Sequence, residues 1–248
     1  MPEEIVPSDW FKGLDLSTTK LPREVDAIRK SIQAVMRLPD PHRDGQTIGS
    51  AKTGIYAFFD YDGEPIYVGQ TAESFATRVG RHLTGMRSDS VAKYVLDPFE
   101  VYAIAMWSIP WIAEEVKGAG PRKQALLPYE YTVHQTLMTQ SKFKAVLNEG
   151  DIPEAELQEL PEPVGGVIIP NEIFPDRSHP DTRIARRAQT VSLLAKNISE
   201  RRVSKGLRRT LLTQTRRLVE LSERRYEAAG GEIPGPEADE GAAGEVEA

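Results

Sequence analysis

The stretch GIYAFFDYDGEPIYVG, residues 54–69, contains two short runs of aromatic and β-branched residues on either side of a turn. Such residues are enriched in β-strands. The pair Asp62-Gly63 predicts a two-residue hairpin loop, because Asp and Gly accept the positive φ that this loop needs. With that loop Tyr67 lies opposite Phe58, and alternation along the strands places Tyr56 and Tyr67 on one side of the sheet. A bulge would break this inference, and both tyrosines could instead be ordinary half-buried sheet residues.

A helix is predicted directly after the hairpin. Its apolar stripe has the spacing i, i+4, i+8 and consists of Phe75, Val79 and Leu83. Arg78 and His82 are four residues apart, so they are neighbours on one side of this helix. The planar guanidinium can hold a phosphate oxygen, and the imidazole can accept or donate a proton. The alternative for both residues is a solvated helix face.

Further along the chain, Val101 to Ile109 predicts a third, buried strand. The segment LLPYEYTVHQTL predicts a helix that begins near Pro128 and carries Glu130, because proline favours the first turn of a helix. Glu114 and Glu115 are alternative carboxylates on a solvated turn or short helix. Glu130 is preferred because its aromatic and apolar neighbours favour a packed helix, on which its geometry can be fixed.

These elements together resemble the GIY-YIG nuclease superfamily over roughly residues 52–149. The matching residues are Gly54-Ile55-Tyr56, Tyr67-Val68-Gly69, Arg78, His82, Glu130 and Asn148. The resemblance implies an α/β (α+β) fold with a small mixed or antiparallel sheet flanked by helices. Gln70 departs from the pattern, since many members carry a lysine at this position.

The resemblance also implies an activity, namely hydrolysis of DNA phosphodiester bonds. The two tyrosines, Arg78 and His82 would surround the scissile phosphate, with either tyrosine as the base, and Asn148 would support the site. Glu130 would hold one Mg²⁺ or Mn²⁺ ion. A restriction or defence endonuclease is the leading interpretation. A homing or repair nuclease and a non-catalytic nucleic-acid-binding module are the alternatives.

The formal net charge of −6 conceals a basic segment between two acidic ones. Residues 183–225 have a net charge of +10, whereas residues 149–182 and 226–248 have −8 and −7. Arginine pairs in the basic segment could neutralise phosphates along double-stranded DNA. The predicted DNA-binding residues are Arg186, Arg187, Arg201, Arg202, Arg208, Arg209, Arg216 and Arg217. The alternative is an arginine-rich solvated face, or pairing of these arginines with the acidic flank.

The patterns divide the chain into five segments. They are an N-terminal extension with one helix (1–50), the nuclease domain (51–149), an acidic Pro-rich connector (150–180), a basic helical hairpin (181–229) and a disordered acidic tail (230–248). Two apolar stripes are predicted in the hairpin. The first is Ile184, Ala188, Val191, Leu194 or Ala195, and Ile198, and the second is Leu207, Leu211, Leu218 and Leu221.

Composition excludes several classes of protein. The chain of 248 residues has no cysteine, which excludes disulfides and thiolate zinc sites. Its four histidines are not clustered, and no apolar run approaches the roughly 20 residues of a membrane span. The N-terminus lacks the pattern of a signal peptide, so a cytoplasmic protein without membrane contact is expected. A homodimer would supply two active sites for the two strands of DNA.

Overall fold

A four-stranded antiparallel sheet lies at the centre of the chain. The computed structural model describes residues 21–83, 97–148, 150 and 152–233. The strands are β1 (Gly54–Phe59), β2 (Pro65–Thr71), β3 (Ala103–Ser108) and β4 (Val164–Val167), in the order β2-β1-β3-β4. Every neighbouring pair is antiparallel. The predicted α+β class with an antiparallel sheet is confirmed, and the predicted third strand is β3.

The β1–β2 hairpin has the predicted register but a different turn. Tyr67 pairs with Phe58, as predicted, and Tyr56 pairs with Gly69. The two-residue loop is wrong, because the backbone N–H of Asp60 donates to the carbonyl of Glu64 (3.0 Å) and the register shifts between Phe58 and Phe59. The carboxylate of Asp60 accepts two N–H groups of the loop, which favours this wider turn.

Helices cover both faces of the sheet. They are α1 (Arg23–Met36), α2 (Phe75–Leu83), α3 (Pro110–Glu115), α4 (Ala119–Gln140), α5 (Phe174–Ser178), α6 (Pro180–Glu200) and α7 (Lys205–Ala228). Tyr56 and Phe58 on one face share a core with Phe75 of α2. Ile55 on the opposite face shares a second core with Leu126 of α4. The alternation of side chains along β1 therefore separates the two cores.

Helix α4 begins nine residues before the predicted start. Pro128 lies inside it, not in its first turn. A proline in a helix interior removes one backbone hydrogen bond. The inner side of α4 nevertheless buries Leu126, Val133 and Leu137 against the sheet. This burial favours a helix that continues through the proline, and it explains why the sequence cue misplaced the start.

Helices α6 and α7 pack against each other and against the tyrosine face of the sheet. Leu194 and Leu207 belong to the same core as Tyr56. The predicted stripe of α6 is partly wrong, because Ala188 is exposed whereas Arg187 is buried. Polar residues occupy part of the inner side of both helices, so apolar periodicity alone could not define that side.

The remaining segments add smaller pieces. The one helix predicted in the N-terminal extension is α1, whose Val35 and Met36 are buried. The acidic connector contributes β4, which pairs with β3, and the short helix α5. Residues 1–20 of the extension and 234–248 of the predicted acidic tail lie outside the described residues. Within the described part of the chain, no helix has the length and apolarity needed to cross a bilayer.

Candidate active site

The phenol of Tyr56 is the centre of a buried polar cluster. Arg78 of α2 donates from Nε to the phenol oxygen of Tyr56 at 3.2 Å. The Nε2 atom of His82 lies 3.1 Å from the same oxygen. Which of these two groups donates to the other depends on the tautomer of His82. The predicted neighbours Arg78 and His82 thus meet on Tyr56, and His82 is buried rather than solvated.

Two glycines permit this close packing. A Cβ atom at Gly69 would lie 2.7 Å from the phenol oxygen of Tyr56 and 2.8 Å from the ring of Tyr67. A Cβ atom at Gly54 would lie 2.2 Å from the carbonyl oxygen of Trp107 and 2.5 Å from the ring of Phe75. Glycine at these two positions therefore lets the aromatic rings lie against the backbone of the sheet.

The two tyrosines occupy different environments. Tyr56 is fully buried, whereas Tyr67 is partly exposed. Their ring centroids are 6.0 Å apart, and Tyr67 also lies 5.1 Å from the ring of His82. Burial, reinforced by the neighbouring Tyr67, raises the pKa of Tyr56 well above its usual value, although Arg78 opposes the shift. Tyr56 is therefore a neutral phenol at physiological pH.

Glu130 approaches this cluster from α4, on the opposite face of the sheet. Its Oε2 atom accepts a hydrogen bond from Nε2 of Gln70 at 2.8 Å. Burial raises the pKa of Glu130, while the hydrogen bond from Gln70 and the charge of Arg78 act in the other direction. Burial would lower the pKa of Arg78, but Tyr56, Tyr67 and Glu130 together raise it. The guanidinium and the carboxyl group are therefore close enough to interact electrostatically.

Asn148 binds the outer edge of β2 at Val68, two residues before the Gln70 that contacts Glu130. Its Oδ1 atom accepts the backbone N–H of Val68 (3.1 Å), and its Nδ2 atom donates to the carbonyl of Val68 (2.9 Å). Strand β2 is a terminal strand of the sheet, so these two backbone groups have no partner strand. The amide of Asn148 takes the place of a peptide group there and holds β2 in position.

The predicted cation site rests on the carboxylate of Glu130. No group of three or more His, Cys, Asp or Glu side chains in the described part of the chain could hold a metal ion. Glu130 supplies one carboxylate, and the buried Oε1 atom of Gln70 has no hydrogen-bond partner among the described residues. Carboxylate and amide oxygens are ligands of Mg²⁺ and related ions, and Mg²⁺ usually keeps several of its waters.

The eight arginines predicted to bind DNA fall into two groups. Arg187 and Arg217 are buried, and Arg186 is only slightly exposed. Their prediction as DNA contacts is not supported by these positions, because their guanidinium groups face carboxylates of the fold. The other five are exposed: Arg201, Arg202, Arg208, Arg209 and Arg216.

The carboxylates that face the buried arginines come from the β1–β2 turn and from the segment before β3. Nη2 of Arg187 lies 2.8 Å from Oδ2 of Asp60, and Nη2 of Arg186 lies 2.6 Å from Oε1 of Glu100. Arg217 donates to the carbonyl of Pro65 at 3.0 Å. From the described residues of the acidic flank at 149–182, the backbone carbonyl of Arg177 accepts from Nη2 of Arg186 at 2.7 Å.

In the sequence, Gln70 stands out only as a departure from the family pattern. In the structure it is the residue that contacts Glu130. The alternation of side chains along β2 could have predicted the side on which Gln70 lies. Gln70 and Val68 both face away from Tyr67 and Gly69 and toward α4. The distance along the chain to Glu130 gave no cue that the two would meet.

Comparisons with known proteins add no relatives. The chain matches no protein-family model, no curated protein and no solved structure. The function must therefore be inferred from the residues and their geometry.

Proposed function

We propose that this chain is a metal-dependent endonuclease of the GIY-YIG type that hydrolyses phosphodiester bonds in double-stranded DNA. The observation that carries the proposal is the convergence of Arg78 and His82 on the phenol of Tyr56, with Glu130 within electrostatic range of Arg78. These residues come from the β1–β2 hairpin and from helices on both faces of the sheet.

Arg78 would bind the scissile phosphate. Its guanidinium uses Nε for Tyr56 and is half-buried, so it is held in one orientation. Fixed donors directed at a phosphoryl group stabilise the charge that develops in the transition state. Arginine is suited to this role because its planar fork matches the geometry of phosphate oxygens.

Tyr67 is the better candidate for the general base. The buried, neutral Tyr56 has a raised pKa, which opposes formation of the phenolate that a base would need. Tyr67 is partly exposed and can meet a water molecule at the surface of the site. Tyr56 and His82 would then be positioning residues that orient Arg78 and support the ring of Tyr67.

Glu130 would hold the divalent cation. A bound Mg²⁺ or Mn²⁺ ion supplies charge neutralisation at phosphate oxygens and at the leaving oxygen. Glu130 is half-buried on α4, and its carboxylate is oriented by Gln70. The protein residues thereby fix the position of the carboxylate before any substrate binds.

The exposed arginines of α7 would contact the DNA backbone. Arg209 lines a groove of about 280 Å³ with Tyr131 and His134, which follow Glu130 on α4. Arg208 and Arg216 lie exposed on the same helix. A cationic surface that reaches the helix carrying Glu130 could guide the duplex toward the site by binding phosphates.

Among nuclease roles, restriction or defence remains the proposal for this chain, with a cytoplasmic location and action as a homodimer. Digestion of phage DNA gives the test. Discrete fragments with uniform ends support a restriction enzyme, whereas cuts confined to damaged or branched DNA support a repair nuclease, and cuts at one long site support a homing nuclease.

A plasmid-cleavage assay in Mg²⁺ tests the enzymatic activity. We expect Tyr67→Phe, Arg78→Ala and Glu130→Ala each to lower the cleavage rate by about 100-fold or more. Glu114→Ala is the matched control, since Glu114 is an exposed glutamate on α3. Full cleavage by Glu130→Ala in Mg²⁺ would refute the assignment of the carboxylate, and loss of cleavage in Glu114→Ala would favour the alternative glutamate. DNA binding without cleavage by the unaltered chain would support a binding module instead.

A further inference from the structure

The side-chain amide of Gln70 has a hydrogen-bond partner at its nitrogen, but its oxygen has none among the described residues. Nε2 donates to Oε2 of Glu130 at 2.8 Å. Oε1 is buried and has no hydrogen-bond partner among the described residues. A buried acceptor without a partner is unfavourable, and native structures rarely keep one without a reason such as an ion that binds there.

The orientation of this amide is fixed by its neighbour. If the amide of Gln70 were turned over, its oxygen would face the carboxylate of Glu130, and two acceptors would repel each other. The contact with Glu130 therefore holds the nitrogen on the side of the carboxylate. It follows that the oxygen of Gln70 belongs to an amide held by Glu130, and that it has no donor among the described residues.

We propose that the Oε1 atom of Gln70 is a second protein ligand for the divalent cation held by Glu130. This inference rests on the proposed function, since it concerns the cation of that site. Amide oxygens are hard ligands for such ions. Gln70 also lies on the edge strand β2 one residue after Gly69, so the ligand pair joins the phenol-bearing hairpin to α4.

Binding of Mn²⁺ in the absence of DNA provides a readout that does not depend on cleavage. Free and bound Mn²⁺ are measured by electron paramagnetic resonance over a titration of the full chain. We expect Gln70→Leu to weaken Mn²⁺ binding by at least about 10-fold, because even residues that only contact a metal ligand have effects of about 10- to 100-fold. Gln140→Leu, an exposed glutamine at the end of α4, is the control and should leave binding unchanged.

A second measurement separates a ligand from a residue that only orients Glu130. The chain is labelled with ¹³C at the side-chain carbonyl of glutamine, and the coupling of this carbon to bound Mn²⁺ is recorded. A strong coupling that disappears in Gln70→Leu supports direct binding by the amide. Absence of the coupling in the labelled, Mn²⁺-loaded chain would overturn the proposal.

Glu130→Ala distinguishes failure of this inference from failure of the proposed function. If Glu130→Ala abolishes Mn²⁺ binding and Gln70→Leu leaves it unchanged, Gln70 is not a ligand but the metal site stands. If Glu130→Ala leaves Mn²⁺ binding intact, the metal site itself is wrong, and the role of Gln70 falls with it. Thermal unfolding of each variant confirms that the chain is still folded.

Discussion

At the scale of single residues, Gly69 determines how closely the two phenols of the site approach the sheet. We predict that Gly69→Ala destabilises the protein by about 1–3 kcal/mol, because the new methyl group would overlap the rings of Tyr56 and Tyr67. Cleavage should fall as well, since the rings must move. Urea unfolding measures the change in stability.

Gly80 is the control for this prediction. It lies on α2, and a Cβ atom added there meets no atom of the described residues within 4 Å. Alanine favours helix over glycine by about 1 kcal/mol, so Gly80→Ala should leave stability unchanged or raise it. Equal losses in both variants would show that the close packing at Gly69 is not the cause.

Asp40 gives a prediction for the dependence of stability on pH. Its carboxylate is buried and accepts from Nε of Arg43 (2.6 Å) and from the hydroxyl of Ser108 (2.7 Å). Burial would raise the pKa of Asp40, but these hydrogen bonds outweigh it, so the pKa lies below the ordinary 3.8. The stabilisation is therefore present above that value and is lost as the pH falls through the lowered pKa.

The substitution that isolates this effect is Asp40→Asn, which cannot ionise. At pH 7 we expect it to cost about 1–3 kcal/mol in unfolding free energy. The difference between the unaltered protein and Asp40→Asn should shrink in acid. A difference that stays constant between neutral pH and about pH 3 in urea unfolding would exclude ionisation of Asp40 as its source.

At the scale of elements, two adjacent arginines of α7 differ in exposure, since one is buried and the other lies at the surface. Arg217 is 1% exposed and contacts Glu64 and Pro65 of the hairpin, whereas Arg216 is exposed. Removing one partner of a buried ion pair typically costs about 3–5 kcal/mol, so Arg217→Ala should be strongly destabilising. Arg216→Ala should change stability by less than about 0.5 kcal/mol. Comparable urea midpoints for the two variants would contradict the burial of Arg217.

The helices and strands also show which features of the fold could be predicted from the sequence alone. Alternation along the strands was sufficient to place Tyr56 and Tyr67 on one face, although the turn is wider than Asp62-Gly63 predicted. Burial of Arg187 could not be predicted, because its stabilising partner Asp60 lies far away in the chain. The same distance concealed the contact between Gln70 and Glu130. Periodicity identifies which residues share a face, but not which charges meet across the fold.

At the scale of the whole molecule, the exposed arginines of α7 predict a salt-dependent DNA surface. We expect the triple variant Arg208→Ala, Arg209→Ala, Arg216→Ala to bind DNA more weakly. The slope of log K against log salt concentration should become shallower by about 0.9 for each phosphate that the variant no longer neutralises. Fluorescence anisotropy with a labelled duplex at several salt concentrations measures both quantities.

The control for this prediction removes the same charge from another surface. Arg23, Arg29 and Lys30 lie exposed on α1, and their triple replacement by alanine leaves α7 intact. We expect its salt slope to match that of the unaltered chain. If the slope changes equally in both triple variants, DNA binding depends on the overall charge of the protein and not on a surface of α7.

The contacts that Asn148 and Glu130 make with the edge strand β2 affect how two copies of the chain could associate. An open strand edge can recruit a strand from another molecule, which leads to shared sheets and to aggregation. Here Asn148 already satisfies both backbone groups of Val68, and Glu130 occupies the space beside Gln70. A second copy therefore cannot pair a strand with the backbone of Val68, so two copies that cut opposite strands of one duplex would have to join at another surface of the fold.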